Sequence, residues 1–328
     1  MSSPQSPSLN KIERSEIDRP KTAYPKKENG WMPIRDVSER TGVNPVTLRA
    51  WERRYGLIKP QRTHKGHRLY APQDIERIEQ IQQWLARGVS VGQVDKLLAP
   101  LNQTSPSPLK VTSQPLQPES PLQAEPHWQP VLDEALNALK VGHLTRFDQS
   151  LNQVSAIYPA ALLMRFFWQP LLHQLYLEPE GARRQLILLQ LESYLRNRVG
   201  ARLTHRNMQS KDQKRLLLSH LPSQQPKFDL WLAALTCTDL NIPITLLDDM
   251  PDWSLLHLID QQQPLSGILL LGHDKIRALK PSEQQLLQAL EPSCWLAGPI
   301  AQIQPEQFES NGWQISHDWV ELLGDLRQ

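Results

Sequence analysis

The chain has 328 residues, enough for two or three domains with separate cores. Charged residues make up 21%, and the formal net charge is only +2. A strongly basic or acidic chain is therefore excluded, and any signal for a polyanionic partner must be local. The hydrophobic fraction is 39%, with no apolar run long enough to span a bilayer. The first residues, MSSPQSPSLNKIERSEIDRPK, lack the apolar core of a secretory signal. The two cysteines, Cys237 and Cys294, stand far apart. That spacing offers neither a disulfide framework nor a zinc ribbon, and it predicts two buried small side chains. Together these features predict a cytoplasmic protein with no membrane partner.

Residues 1–30 are poor in apolar side chains and are expected to be disordered. Residues 31–100 form a compact periodic segment. The first helix is expected at Ile34–Thr41, with Ile34, Val37 and Ser38 inward. Gly42 suits a tight turn, because glycine accepts positive φ without strain. Asn44 can cap the next helix, and Pro45 suits its first position. That helix, Pro45 to Tyr55, places Val46, Leu48, Trp51 and Tyr55 on its apolar side and Thr47, Arg49, Arg53 and Arg54 on the other. Helix, glycine turn and capped basic helix are the layout of a helix-turn-helix.

Lys65-Gly66-His67 reads as a hairpin tip, and Arg68-Leu69-Tyr70 as the returning strand. Pro72 opens a third helix with Ile75, Ile78, Ile81 and Leu85 on one stripe. Gly88 ends it, Ser90 caps a fourth helix, and Val91, Val94, Leu97 and Leu98 complete the core. Between Arg49 and Arg68 stand Arg49, Arg53, Arg54, Lys59, Arg62, Lys65 and Arg68, against a single acid, Glu52. Such a cluster neutralises phosphates and releases counterions, giving affinity that falls with salt. Arginines on the second helix can also read guanine edges in the major groove.

The stretch IRDVSERTGVNPVTLRAWERRYGLIKPQRTHKGHRLYAPQDIERI resembles the MerR family of regulators, through TGV, TLR-W-RRYGL and the HRLY wing. The resemblance implies a second helix in the major groove and a wing whose arginine and tyrosine grip the phosphate backbone. It assigns DNA contacts to Thr47, Arg49, Arg53, Arg68 and Tyr70. Arg54, Lys65 and His67 are further candidates, while Leu48 and Trp51 read as core. It also implies double-stranded promoter DNA, RNA polymerase as a partner, and a homo-oligomer.

Residues 101–126 are rich in Pro, Ser and Gln and read as a linker. Pro100 interrupts the fourth helix, so no long dimerisation helix follows it, and assembly is assigned to the C-terminal domains. Residues 127–210 are Leu-rich at helical spacing and predict a helical bundle. Residues 211–328 alternate short apolar runs (RLLLSHL, IPITLLD, GILLLG, CWLAGP, WQIS) with helical segments. This predicts a flavodoxin-like parallel α/β sheet, making the whole a multidomain α and α/β chain behind a winged helix-turn-helix.

This plan resembles the MlrA-like regulators and cobalamin-dependent light-sensing repressors within the family. Their cobalamin domains carry Asp-x-His-x-x-Gly after the first strand, with the His as lower cobalt ligand. Here Gln224, Pro226 and Asp229 fall at those three positions. No Glu-His dipeptide stands in the bundle, and the double-glycine cradle appears as Ala297-Gly298. Cobalamin is accordingly not expected, and the cofactor and metal expectation is none. His220 lies close to the ligand region but lacks a carboxylate two residues earlier. His257, His273 and His317 are scattered without metal spacing, and Asp248-Asp249 reads as a solvated loop. Trp231, Trp253, Trp295, Trp313 and Trp319 read as core or interface anchors. No activated nucleophile or P-loop is present, so no enzyme activity is expected. The favoured reading is a DNA-binding regulator whose C-terminal domain serves assembly or signal input. The alternative is a sensor gated by cobalamin or another small molecule at the strand C-terminal edge.

Overall fold

The computed structural model describes residues 30–98, 128–209, 213–222, 224 and 228–326. The expected tail through residue 29, the whole linker and Pro226 lie outside the described residues.

The N-terminal unit runs β1 (Met32–Pro33), α1 (Ile34–Thr41), α2 (Pro45–Arg53), β2 (Gln61–Arg62), β3 (Arg68–Tyr70), α3 (Pro72–Ala86) and α4 (Val91–Leu98). The strands form a small antiparallel sheet in the order β1-β3-β2. Gly42 ends α1 at φ 80°, and its N–H donates to the Ser38 carbonyl at 3.2 Å. The Asn44 side chain accepts from the N–H groups of Val46 and Thr47 at 2.8 and 3.0 Å, closing the N-terminus of α2. The wing turns at Gly66, φ 82°, with the Thr63 N–H donating to the His67 carbonyl at 2.8 Å. Val37, Val43, Leu48, Trp51, Ile75, Ile78, Ile81, Leu85 and Val94 are buried at its centre.

The middle unit comprises α5 (Gln129–Lys140), α6 (Leu144–Ser155), α7 (Ala160–Leu163), a π-helical turn at Met164–Trp168, α8 (Gln169–Leu177) and α9 (Ala182–Gln209). Pro170 has no N–H to return to the Phe166 carbonyl, and the helical ladder passes through the π turn just before it. Trp128, Phe147, Phe166, Phe167 and Trp168 fill the interior. Phe147 packs edge-on to Tyr194 at 5.1 Å between ring centres.

The C-terminal unit runs β4 (Arg215–His220), α10 (Phe228–Leu240), β5 (Ile244–Leu246), α11 (Ser254–Gln262), β6 (Leu265–Leu271), α12 (Pro281–Gln288), β7 (Cys294–Ala297), α13 (Ile300–Ile303), α14 (Glu306–Glu309), β8 (Gln314–Ser316) and α15 (Trp319–Asp325). All pairings are parallel, in the order β5-β4-β6-β7-β8. Counted within the sheet this is 2-1-3-4-5, the flavodoxin-like order, whose direction reverses between β4 and β6. Side chains alternate across it. Leu216, Leu218, Leu269 and Leu271 face the core shared with α10 and the bundle, while Leu217, Ile268, Leu270 and Leu296 face the other core. Cys237 and Cys294 are free and buried, and burial pushes the Cys294 thiol up to about 12. Trp231, Trp253 and Trp313 are buried, and Trp295 and Trp319 pack partly buried against the cores.

The three units share packing. The Trp51 indole N–H, from α2, donates to the Ile157 carbonyl after α6 at 2.9 Å. One continuous buried cluster includes Trp51, Trp128 and Trp231.

Candidate nucleic-acid interface and sheet-edge cluster

Helix α2 leaves one stripe exposed: Val46, Arg49 and Arg53, three and four residues apart, with Arg54 beside them. Val46 is 54% exposed, although its sequence context assigns it to the apolar side. Thr47 is fully buried instead, and its hydroxyl has no partner among the described residues. The expected places of Val46 and Thr47 are thus exchanged, while Leu48 and Trp51 stay inward as expected. Leu48 and Trp51 dominate the packing, and the positions adjoining them go inward. Thr47 is accordingly corrected from an exposed contact to an interior residue. Val46, missed by sequence reasoning, joins the exposed face; its signal was the 46, 49, 53 spacing with two arginines.

The wing presents Lys65, His67, Lys59 and Arg62 to solvent. Tyr70 is fully buried, and that burial pushes its hydroxyl up to about 12. Its expected grip on a phosphate is likewise corrected: it anchors β3 inside the domain. Arg68 is only 16% exposed and forms an ion pair with Glu52 of α2, whose carboxylate also meets Arg62 at 3.2 Å. The hydrogen bond that Arg68 donates to Glu52 raises the Arg68 pKa above its ordinary value. Glu52, the single acid in the basic run, therefore clamps wing to helix. The exposed surface left for a partner is Arg49, Arg53, Arg54, Lys65 and His67, together with Lys59 and Val46.

The second constellation lies at the C-terminal edge of the sheet. His220 ends β4, Asp229 opens α10, and His273 follows β6. His220 Nε2 lies 3.2 Å from Asp229 Oδ1, and His273 Nε2 lies 2.7 Å from Asp229 Oδ2. Burial acts to raise the Asp229 carboxyl, but the two imidazoles hold it well below the usual carboxylate range. The histidines judged scattered along the chain are thus partly gathered: His220 and His273 meet, whereas His257 lies on α11 and His317 follows β8. Gln224 spans the crevice beside them. Its Oε1 accepts from the His273 N–H at 2.9 Å, and its Nε2 donates to the Asp274 carbonyl at 2.7 Å. Gly298 follows β7 at φ 95°, where a Cβ would come within 2.7 Å of the Gly272 carbonyl oxygen.

A capped basic helix, a glycine-turned partner helix and a basic hairpin make up a winged helix-turn-helix. Residues 32–100 match the model of the MerR HTH family regulatory protein. It is 33% identical over 180 residues to the HTH-type transcriptional regulator MlrA of Escherichia coli, covering 55% of this chain and 65% of that one. The MlrA protein of Salmonella typhimurium is 54% identical over 66 residues, covering 20% of this chain and 27% of its own length. The HTH-type transcriptional repressor CarH of Myxococcus xanthus is 27% identical over 309 residues, covering 89% of this chain and 97% of its own. The chain therefore spans less than two thirds of the MlrA relatives it matches. Among the described residues, no helix is long and apolar enough to cross a membrane.

Proposed function

We propose that the chain binds promoter duplex DNA as a dimer or higher oligomer, with α2 in the major groove and the β2–β3 wing on the flanking backbone. The observation that carries this reading is the exposed face of Arg49, Arg53, Arg54, Lys65 and His67, held on two elements that Glu52 locks together. Arg49 stands at the middle of α2 on its exposed face and reaches base edges; Arg53, Arg54, Lys65 and His67 meet phosphates. Val46 offers a methyl surface to a thymine methyl. Arg68 acts through Glu52, positioning the wing. Assembly falls to residues 127–328, and RNA polymerase is the partner that a promoter-bound regulator addresses. No enzymatic step is assigned to the chain.

Cobalamin does not suit the residues at the sheet edge. Gln224 stitches the crevice by bonding to His273 and Asp274, and the Asp229 carboxylate occupies the position where a glycine would admit the cofactor. Pro226, at the position of the lower cobalt ligand, has no donor nitrogen. We assign the C-terminal unit to assembly and signal input without this cofactor.

The experiment is a gel shift at physiological salt on a duplex selected from a random pool by the full-length protein. Arg49→Ala should weaken binding by about 1–3 kcal/mol, roughly 5- to 150-fold, and relax the preference at one base pair. Undiminished affinity and preference would remove Arg49 from the interface.

A further inference from the structure

We propose that His220, Asp229 and His273 form a binding site for one divalent transition-metal ion of the zinc class. The proposal concerns the sheet edge and goes beyond the DNA-binding reading, on which it does not depend.

Two features carry it. The ligand atoms of the three side chains all lie within 4.8 Å of one another, although they come from two strand ends and a helix start. His273 Nε2 and Asp229 Oδ2 approach to 2.7 Å, yet neither atom has a hydrogen-bond partner among the described residues. At that separation the oxygen must lie off the ring N–H direction, so the pair does not satisfy itself. Two off-axis donors this close are arranged to face a third object.

The dimensions suit a small ion. Zinc sits about 2.0–2.2 Å from imidazole nitrogen and carboxylate oxygen, which sets ligand atoms about 3.4 Å apart in a tetrahedron. The observed separations of 2.7 and 3.2 Å lie close to that value. Two nitrogens and one oxygen favour Zn²⁺, Co²⁺ or Ni²⁺ over Mg²⁺ and Ca²⁺, which prefer oxygen alone. With three protein ligands the fourth position stays open to water or a small anion. It opens at the switch point between β4 and β6, the usual ligand crevice of such a sheet. His220 is 1% exposed, whereas Asp229 and His273 are 16% and 15% exposed, so an ion enters from their side. Bound there, it would tie the ends of β4 and β6 to the start of α10.

The test uses full-length protein stripped of metal and freed of chelator, without DNA, so it stands apart from the regulator reading. Calorimetric titration with Zn²⁺ should show one equivalent bound. Titration with Co²⁺ should give the intense visible d–d bands of a four-coordinate site. His273→Ala should lower the affinity at least about 100-fold, beyond the 10- to 100-fold loss expected of a residue that merely orients a ligand. It should also abolish the Co²⁺ bands, while His257→Ala leaves both readings unchanged. Circular dichroism checks folding; should His273→Ala fail to fold, Asp229→Asn, which keeps shape and loses charge, carries the same expectation. No one-equivalent binding, or binding and bands unchanged in the folded variant, would overturn the proposal.

Discussion

Removing Glu52 separates two opposed effects. The Glu52→Ala substitution deletes a negative charge from a surface that is otherwise basic between residues 49 and 68. If charge alone governed affinity, binding to DNA would tighten. A carboxylate about 8 Å from a phosphate repels it by about 0.5 kcal/mol in water, and less once salt screens it. Against this stands the ion pair with Arg68, both side chains 16% exposed, and the second contact to Arg62 at 3.2 Å. A hydrogen bond between charged groups contributes about 1.5–3 kcal/mol; allowing for the solvent that reaches the pair leaves about 1–2 kcal/mol. Loss of wing position therefore wins by about 0.5–1.5 kcal/mol, and the variant should bind about 2- to 13-fold more weakly. Fluorescence anisotropy on the selected duplex reads this directly. Arg68→Ala should give a similar loss, and the double variant should fall short of the sum of the two, the mark of a coupled pair. Equal or tighter binding by Glu52→Ala would refute the clamp.

Two further expectations follow the same geometry. Lys65→Ala should reduce the slope of log affinity against log salt by about 0.9, the loss of one phosphate contact, with base preference unchanged; an unaltered slope would remove Lys65 from the backbone contacts. Trp51→Phe keeps the ring in its pocket but deprives the Ile157 carbonyl of its donor, costing about 1–3 kcal/mol. Hydrogen exchange should then quicken across α1 and α2, and unaltered exchange would show that the indole bond contributes nothing.

The N-terminal unit was legible because its information is local. Gly42, Asn44, Pro45, Gly66 and Pro72 each dictate backbone shape at their own position, and the structure uses all five so. The exchange of Val46 and Thr47 was not legible. Val46 and Thr47 are both β-branched and nearly equal in size, and tertiary packing around Trp51 decided which one faced inward. Arg68 and Tyr70 were recognised as special, but the pattern could not separate a side chain that touches a partner from one that holds the wing. Glu52 was the available clue, a lone acid among seven cations. At the other end, alternating apolar runs announced the parallel sheet, while His220, Asp229 and His273 escaped notice as a group. They lie 9 and 44 residues apart along the chain, and only the strand order that sets β4 beside β6 makes them neighbours.

The bond from Trp51 to the carbonyl of Ile157 joins residues 106 positions apart, with the Pro- and Ser-rich stretch between them. A reading head on a free tether searches a volume set by the length of its leash. Here the head is bolted to the body, and the leash contributes little to its aim. Doubling a flexible loop raises its closure cost by only about 0.6 kcal/mol. Natural variation in the length of that stretch should therefore be generous, and the separation of half-sites on the DNA should follow the geometry of the assembled bodies instead.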